Sequence, residues 1–264
     1  MSDAIWMFDP RSAIEHIEGN LFGFWTFCGQ HKDRVLFDDG HVTWVSSRPY
    51  AMPNLIFNLR LDGVDLDRYL SGVVESIRQE RCPRVWIRAS SDGPPGLYER
   101  LAALGFVEIA RRPTMAIDLQ RLRRPADPLA GLALAPLGGD GELDEWMSIA
   151  SACFMGGRDM GRDLFARHLL PSPNVRIYLA RLDGVAVGTA LLFFHGGVAG
   201  LHLVGVRESH RRRGIAARLT VHALDDASRL GYRAAVLKAS NLGENIYRRL
   251  GFQDFSRLIL YEWR

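Results

Sequence analysis

Residues 203–220, LVGVRESHRRRGIAARLT, place a strand, a basic turn and a helix N-terminus in direct succession. The apolar run Leu201–Val206 ends in a charged turn, and Gly214 opens a helix-forming segment. The turn contains Arg207, Arg211, Arg212 and Arg213. Because the first N–H groups of a helix lack internal partners and carry partial positive charge, such a turn suits a phosphate or pyrophosphate. A solvated basic loop before an ordinary amphipathic helix is the alternative.

Length and composition are those of a globular protein with room for two domains. The chain has 264 residues, of which 47% are hydrophobic and 24% charged, and its net charge of +3 is too small to imply nucleic-acid binding. Cys28, Cys82 and Cys153 lie far apart without metal-type spacing, so neither a disulfide framework nor a metal site is expected. The N-terminus is acidic and no apolar run approaches about 18 residues, which favours a cytoplasmic protein without a membrane span.

Hydrophobic periodicity and turn residues predict alternating helices and strands in the first half. The predicted helices are 11–29, 64–80 and 97–104, and the predicted strands are 35–37, 42–45, 54–61, 84–90, 106–110 and 114–119. The segment 120–131, QRLRRPADPLAG, is polar and contains proline without periodicity. That composition is typical of a linker, so we expect a domain boundary there.

The second half repeats this alternation. The predicted helices are 142–154, 162–169, 214–230 and 244–250, and the predicted strands are 132–137, 175–182, 186–194, 198–206, 233–240 and 252–261. Strands that alternate with helices and a meander indicate an α/β fold with an α+β mixed sheet. The segment Trp86–Phe106 also echoes Val236–Phe252: each reads as strand, Ala-Ser, loop, helix and Leu-Gly-Phe. This internal repeat predicts two copies of one fold.

The basic turn and its context resemble the GNAT acetyltransferase superfamily. RRRGIA, Arg211–Ala216, is similar to the family's acyl-CoA pyrophosphate signature, and IYRRLGF, Ile246–Phe252, looks like its closing motif. The resemblance implies two tandem GNAT-like domains, each with a central splayed mixed sheet flanked by helices. The expected limits are 1–122 for a degenerate N-terminal copy, 123–131 for the linker and 132–264 for the catalytic domain.

The resemblance also implies acetyl-CoA as the acyl donor and a set of residues that bind it. Backbone groups of the central strand would pair with the pantetheine arm, as in strand addition. These residues are Val204, Gly205 and Val206. The pyrophosphate would lie on the turn and helix N-terminus, formed by Arg211, Arg212, Arg213, Gly214, Ile215, Ala216 and Ala217. Asn241 would bond the arm or a bridging water.

Two residues are predicted to take part in the chemistry. The resemblance places Tyr247 near the thioester sulfur, where a phenol can protonate the departing thiolate. His202 shares a face with Val204 and Val206 by strand alternation, so it could point into the slot as the general base. Glu142, Glu145, His195 and an ordered water are the alternatives for that base.

The first half departs from the pattern. DGVDLD, with Asp62, Asp65 and Asp67, stands where the basic glycine turn should follow the strand, and carboxylates there would repel a pyrophosphate. Tyr98 is out of register with Tyr247. We therefore expect this half to form one side of the acceptor pocket, to stabilise the other half or to contact a partner. The pocket candidates are Trp44, Pro49, Tyr50 and Asn54.

The expected function is acetyl-CoA-dependent N-acetylation of an amine by direct attack on the thioester. The acceptor would be an amine-bearing small molecule or peptide, and the protein a monomer or homodimer that binds no nucleic acid. The alternative is a non-catalytic acyl-CoA-binding regulatory or scaffold protein.

Overall fold

The computed structural model describes residues 9–83, 85–88 and 96–264. The first half contains α1 Pro10–Gly29, β1 Val35–Asp38, β2 Thr43–Ser46, β3 Leu55–Phe57, α2 Leu66–Arg78, β4 Val85–Arg88, α3 Leu97–Ala103 and β5 Phe106–Asp118. The second half contains β6 Leu132–Pro136, α4 Leu143–Phe154, α5 Arg162–Leu164, β7 Val175–Leu182, β8 Val185–His195, β9 Val198–Val206, α6 Ile215–Arg229, β10 Ala234–Lys238, α7 Glu244–Leu250 and β11 Gln253–Trp263. The mixed α/β class and the helical and strand segments follow the predicted order, although the ends of the predicted strand 84–90 lie outside the described residues.

Helix α1 begins where its sequence provides a cap and a proline. The Asp9 carboxylate accepts hydrogen bonds from the N–H groups of Arg11 (3.3 Å) and Ser12 (3.1 Å), and Pro10 occupies the first turn. The helix buries Ile17, Phe24 and neighbouring apolar side chains. It contacts β2 and β11 as well as β8, β9 and β10, so it lies across strands from both halves of the chain.

The eleven strands of the described residues form one sheet, in the order β1-β2-β3-β4-β11-β5-β10-β9-β8-β7-β6. The expectation that each half has a sheet of its own is therefore wrong. The last strands of the two halves are exchanged: β5 pairs with β10 of the second half, and β11 pairs with β4 of the first. β5 and β11 also pair with each other over most of their length, which joins the two halves.

A single long strand makes this joining possible. The sequence predicts two strands, 106–110 and 114–119, but β5 runs unbroken from Phe106 to Asp118. Pro113 has no backbone N–H to donate, but it does not end the strand, because its carbonyl is the group that forms a hydrogen bond here. The N–H of Ala239 donates to that carbonyl at 2.9 Å.

The predicted linker is packed rather than loose. Leu119 and Leu122 are buried in the same apolar cluster as helices α6 and α7. The N–H of Arg123 donates to the carbonyl of Leu250 at 2.9 Å, and Arg124 pairs with Asp225 at 2.6 Å. The boundaries 1–122, 123–131 and 132–264 stay a prediction.

The sheet separates two apolar layers. Helices α1 and α4 cover what we call the α1 face, where they pack on Leu191 and Phe193. Helices α6 and α7 cover the opposite α6 face, where they pack on Leu201 and Leu237. Within the described residues, no helix has both the length and the apolar character needed to cross a membrane.

Candidate functional site

A bulge and a splay interrupt the centre of the sheet. β10 pairs with β9 only from Ala199 to Leu201, so the two strands separate beyond that point. On its other side β9 changes register against β8, and Leu203 has a positive φ of 51°. A left-handed leucine costs on the order of 1 kcal/mol, and the Thr189 hydroxyl helps to hold it by donating to the Leu203 carbonyl at 3.0 Å. The backbone of residues 204–206 thus borders a gap in the sheet.

The basic turn leads from this gap to an uncapped helix. Gly214 is the N-cap of α6 with a φ of 74°, and no side chain accepts a hydrogen bond from the first N–H groups of the helix. Arg207 and Arg211 are held against the strand, since their Nε atoms donate to the carbonyls of Ala186 (3.0 Å) and Val206 (3.3 Å). Arg212 and Arg213 are exposed. The turn therefore presents backbone donors and positive charge to an anion.

The structure brings part of the predicted set together on the α6 face. Val206 and Tyr247 are buried in one apolar cluster with Ile215, and Val204, Ala216 and Ala217 pack against that cluster. Gly205 is buried on the other side, where an added Cβ would lie 3.0 Å from Cys153. Asn241 is exposed just past the end of β10. The assignment of these residues to acetyl-CoA binding stays a prediction.

Tyr247 lies inside this cluster. It is 8% exposed, and its ring meets Phe252 edge-on with the centroids 5.7 Å apart. Burial raises the pKa of the phenol well above its usual value, so the hydroxyl keeps its proton throughout the neutral range. Such a group can donate a proton or a hydrogen bond but cannot act as a base near pH 7.

His202 faces the other way, and the prediction that it shares a face with Val204 and Val206 is wrong. The bulge at Leu203 inserts an extra residue, which breaks the two-residue alternation between His202 and Val204. The imidazole instead stacks on Phe24 of α1 at 4.2 Å between centroids and lies 3.4 Å from Oδ1 of Asn20. Burial, and the nearby Lys238, lower its pKa to about 3. His202 is therefore neutral and a weak base.

The other candidates for the base are engaged elsewhere or lie apart from the slot. Glu142 and Glu145 both pair with Arg181, at 3.1 Å for Glu142, and a hydrogen bond from the N–H of Gly138 lowers the pKa of Glu142. His195 is exposed at the end of β8, where its ring stacks on Phe193 with the centroids 5.7 Å apart.

Sequence reasoning missed Lys238. This residue ends β10 at the splay, and its ammonium lies 5.4 Å from the centroid of the Trp25 ring on the α1 face. Burial and the charge of Arg112 lower its pKa from 10.5 to about 8. The available signal was a lysine at an inward position of the apolar strand AAVLK, in a chain with one other lysine, Lys32.

The described segment between β3 and α2 of the first half contains no comparable turn. Asp65 caps α2 by accepting from the N–H of Arg68 at 3.2 Å, so a carboxylate already lies where an anion would bind. Asp67 pairs with Arg100 at 2.7 Å, and Tyr98 stacks on Tyr261.

The proposed lining of an acceptor pocket is dispersed. A cavity of about 700 Å³ lies in the first half, away from the splay, and Trp44 and Tyr69 line it. Asn54 instead accepts from the N–H of Ser47 at 2.8 Å, and the Tyr50 ring lies under Arg34. Of the four candidates, Trp44 lines this cavity, whose lining does not include Pro49, Tyr50 or Asn54.

One group of potential metal ligands lies elsewhere. His31, Asp33 and Asp163 come within 4.8 Å of one another. Asp163 is already paired with Lys32 at 3.4 Å and Arg167 at 2.6 Å, so ion pairs account for the grouping.

Comparisons with known proteins agree with this geometry. Residues 143–252 match the model of the acetyltransferase (GNAT) family. The chain is similar in structure to a GCN5-related N-acetyltransferase from Kribbella flavida, with a TM-score of 0.70, 22% identity and coverage of 93% of this chain and 95% of that one. A GCN5-related N-acetyltransferase from Sphaerobacter thermophilus gives a TM-score of 0.63 at 20% identity and coverage of 85% and 81%.

A third similar structure is a tandem GNAT protein from the clavulanic acid biosynthesis pathway, with a TM-score of 0.58, 16% identity and coverage of 87% and 83%. No curated protein matches the sequence. The chain thus has the GNAT fold, and the segment that matches the GNAT family model contains the splay, the basic turn and Tyr247.

Proposed function

We propose that the chain is an acetyl-CoA-dependent N-acetyltransferase that transfers an acetyl group to an amine. One observation carries the proposal: a bulged strand splays from its neighbour and leads through an arginine turn into a helix whose first N–H groups have no side-chain cap. Backbone donors at a helix N-terminus, with arginines beside them, suit a pyrophosphate. The match of residues 143–252 to the acetyltransferase family supports the same activity.

The proposed roles follow the arrangement of the slot. Backbone groups of Val204 and Val206 pair with the pantetheine arm, and the turn from Arg211 to Ala217 holds the pyrophosphate. The neutral amine attacks the thioester carbon, the backbone N–H of Val206 polarises the carbonyl, and the C–S bond breaks. Tyr247 protonates the departing sulfur. The proton that the amine loses goes to a base or to solvent.

The first half is proposed to be a degenerate copy of the same fold that no longer binds acetyl-CoA. The repeated order of elements supports this, since β3, α2, β4, α3 and β5 correspond in sequence to β9, α6, β10, α7 and β11. The carboxylate cap of α2 supports the loss of binding. The Asp65 carboxylate occupies the place where a phosphate would lie, and its negative charge would repel a phosphate. The similarity to a tandem GNAT protein favours the same interpretation.

The substitution Gly214→Glu tests the proposal. It places bulk and negative charge at the N-terminus of α6, so we expect the affinity for acetyl-CoA to fall roughly 100-fold, as for the loss of charge-assisted bonds plus like-charge repulsion. Isothermal titration with acetyl-CoA measures the affinity, and thiol release with a panel of amines measures turnover.

Gly231→Glu is the matched control. Gly231 follows the other end of the same helix, also has a positive φ (91°) and has open space around it. Both variants therefore place a glutamate at a left-handed backbone position, and at Gly214 the added Cβ also meets the flexible end of the Arg218 side chain. Only the first variant should lose acetyl-CoA. Unchanged affinity in Gly214→Glu would overturn the assignment. Tight binding without turnover for any amine would favour the acyl-CoA-binding regulatory protein instead.

A further inference from the structure

Two half-buried cations lie side by side on the α1 face at the point where the sheet splays. Lys238 is paired in register with Thr114 of β5, and Arg112 lies two residues from Thr114 on the same face. Such diagonal neighbours across a sheet come within about 7–8 Å of one another. The charge of Arg112 accordingly lowers the pKa of Lys238.

Neither cation has a carboxylate partner among the residues the structure describes. The ammonium of Lys238 faces the ring of Trp25, and the other group that acts on its charge is a second cation. Its neighbour Arg111 lies on the opposite face and donates two hydrogen bonds to the Glu108 carboxylate, at 2.8 and 3.0 Å. Arg112 has no such partner among the described residues. Unpaired, half-buried like charges are costly, and a bound anion removes that cost.

The position of the pair relates it to the reaction. Lys238 is the last residue of β10, and the cofactor slot begins where β10 leaves β9. The proposed cofactor residues line the α6 face, whereas Lys238, Arg112 and His202 are on the α1 face. β9 and β10 are not paired beyond Leu201 and Leu237, so an acceptor amine that reaches the thioester from the α1 face passes beside these cations.

We propose that Lys238 and Arg112 form a carboxylate-binding site for the acceptor, which is an amine that also carries a carboxylate group. This inference rests on the proposed acetyltransferase function. The carboxylate is held by charge-assisted bonds from the ammonium and the guanidinium, and the Trp25 ring packs beside it. His202, being neutral, adds no competing charge.

Kinetics with two matched acceptors test the proposal. Phenylalanine and phenethylamine share an amine and an aromatic body and differ in the carboxylate. For Lys238→Met and Arg112→Gln we expect kcat/KM for phenylalanine to fall 10- to 100-fold, mainly through KM, with little change for phenethylamine. Arg111→Gln and Lys32→Met are the controls, and both should resemble the unsubstituted protein. An equal fall in kcat for both acceptors would assign Lys238 to proton transfer and overturn the proposal.

A binding measurement separates this proposal from the proposed function. The chain has two lysines, so protein labelled with 13C at the lysine ε-carbon gives one signal from Lys238 and one from the exposed Lys32. Addition of 3-phenylpropionate should shift the Lys238 signal and raise its titration midpoint, whereas 3-phenylpropanol should not. Lys32 reports any general salt effect. A Lys238 signal indifferent to both probes overturns the site, even if amines are acetylated. A selective shift without any turnover leaves the site standing and rejects the acetyltransferase.

Discussion

Tyr247 shows how burial defines what a single side chain can do. Tyr247 belongs to the apolar cluster that includes residues of β9, α6 and α7, and burial raises the pKa of its phenol. A protonated phenol in a site shielded from water can stabilise a sulfur that gains negative charge. In the proposed reaction the same residue could not also accept the proton of the amine, so the proposal needs a separate base.

We expect Tyr247→Phe to lower kcat by about 100-fold with little change in acetyl-CoA affinity, because the hydroxyl would act only as the C–S bond breaks. Steady-state thiol release and isothermal titration measure the two quantities. Tyr178→Phe is the matched control, since Tyr178 is fully buried in the same cluster but belongs to β7, away from the splay. Unchanged turnover in Tyr247→Phe would remove the tyrosine from the mechanism.

His202 shows how one inserted residue changes a side chain's surroundings. Strand alternation places it with Val204 in the cofactor slot, whereas the bulge at Leu203 turns it toward Phe24 and Asn20. Asn20 is itself buried, and its amide donates to the carbonyls of Phe193, His195 and Val198. His202 thus packs against the contact between α1 and the central strands, and its neutral state follows from that burial.

At the scale of elements, the N-termini of α2 and α6 form a contrasting pair. Both helices follow a strand that pairs in parallel with the next strand along the chain: β3 with β4, and β9 with β10. The cap of α2 is an aspartate that accepts a backbone hydrogen bond, whereas the cap of α6 is a glycine that accepts none through a side chain. The first arrangement satisfies the helix internally. The second leaves the first N–H groups of α6 without a side-chain acceptor.

Asp65→Ala should therefore destabilise the protein by about 1 kcal/mol, the usual cost of losing a helix cap, without creating an affinity for acetyl-CoA. Urea unfolding measures the change in the free energy of unfolding. Asp62→Ala is the control, because Asp62 is exposed in the same turn, and its effect should stay within about 0.5 kcal/mol. A destabilisation equal in both variants would mean that the cap contributes nothing of its own.

At the scale of the molecule, the exchange of the last strands of the two halves, β5 and β11, makes the halves depend on each other. β10 needs β5 on one edge, and β11 lies between β4 and β5. A second half made alone would leave one edge of β10 and both edges of β11 unpaired. Unpaired strand edges promote aggregation. The first half would lose β11 from between β4 and β5 in the same way.

We expect residues 132–264 expressed alone to aggregate or to lack cooperative unfolding, and coexpression with residues 1–131 to restore a soluble complex. Size-exclusion chromatography and circular dichroism report the outcome. The control is the full chain with a protease site inserted after Asp127, in the segment without regular structure, which should stay assembled after cleavage. A second half that folds alone and binds acetyl-CoA normally would contradict the mutual dependence.

The amino-acid sequence by itself determined the local structure: most helices and strands, the arginine turn before Gly214 and the acidic turn at Asp65. These depend on periodicity, capping and charge within short windows, which a sequence displays directly. Only the tertiary structure decided that the strands form one sheet, that His202 leaves the slot and that Lys238 lies beside Arg112. Strand partners and bulges are set by contacts between residues far apart in the chain, and a one-residue change of register reverses every side chain beyond it.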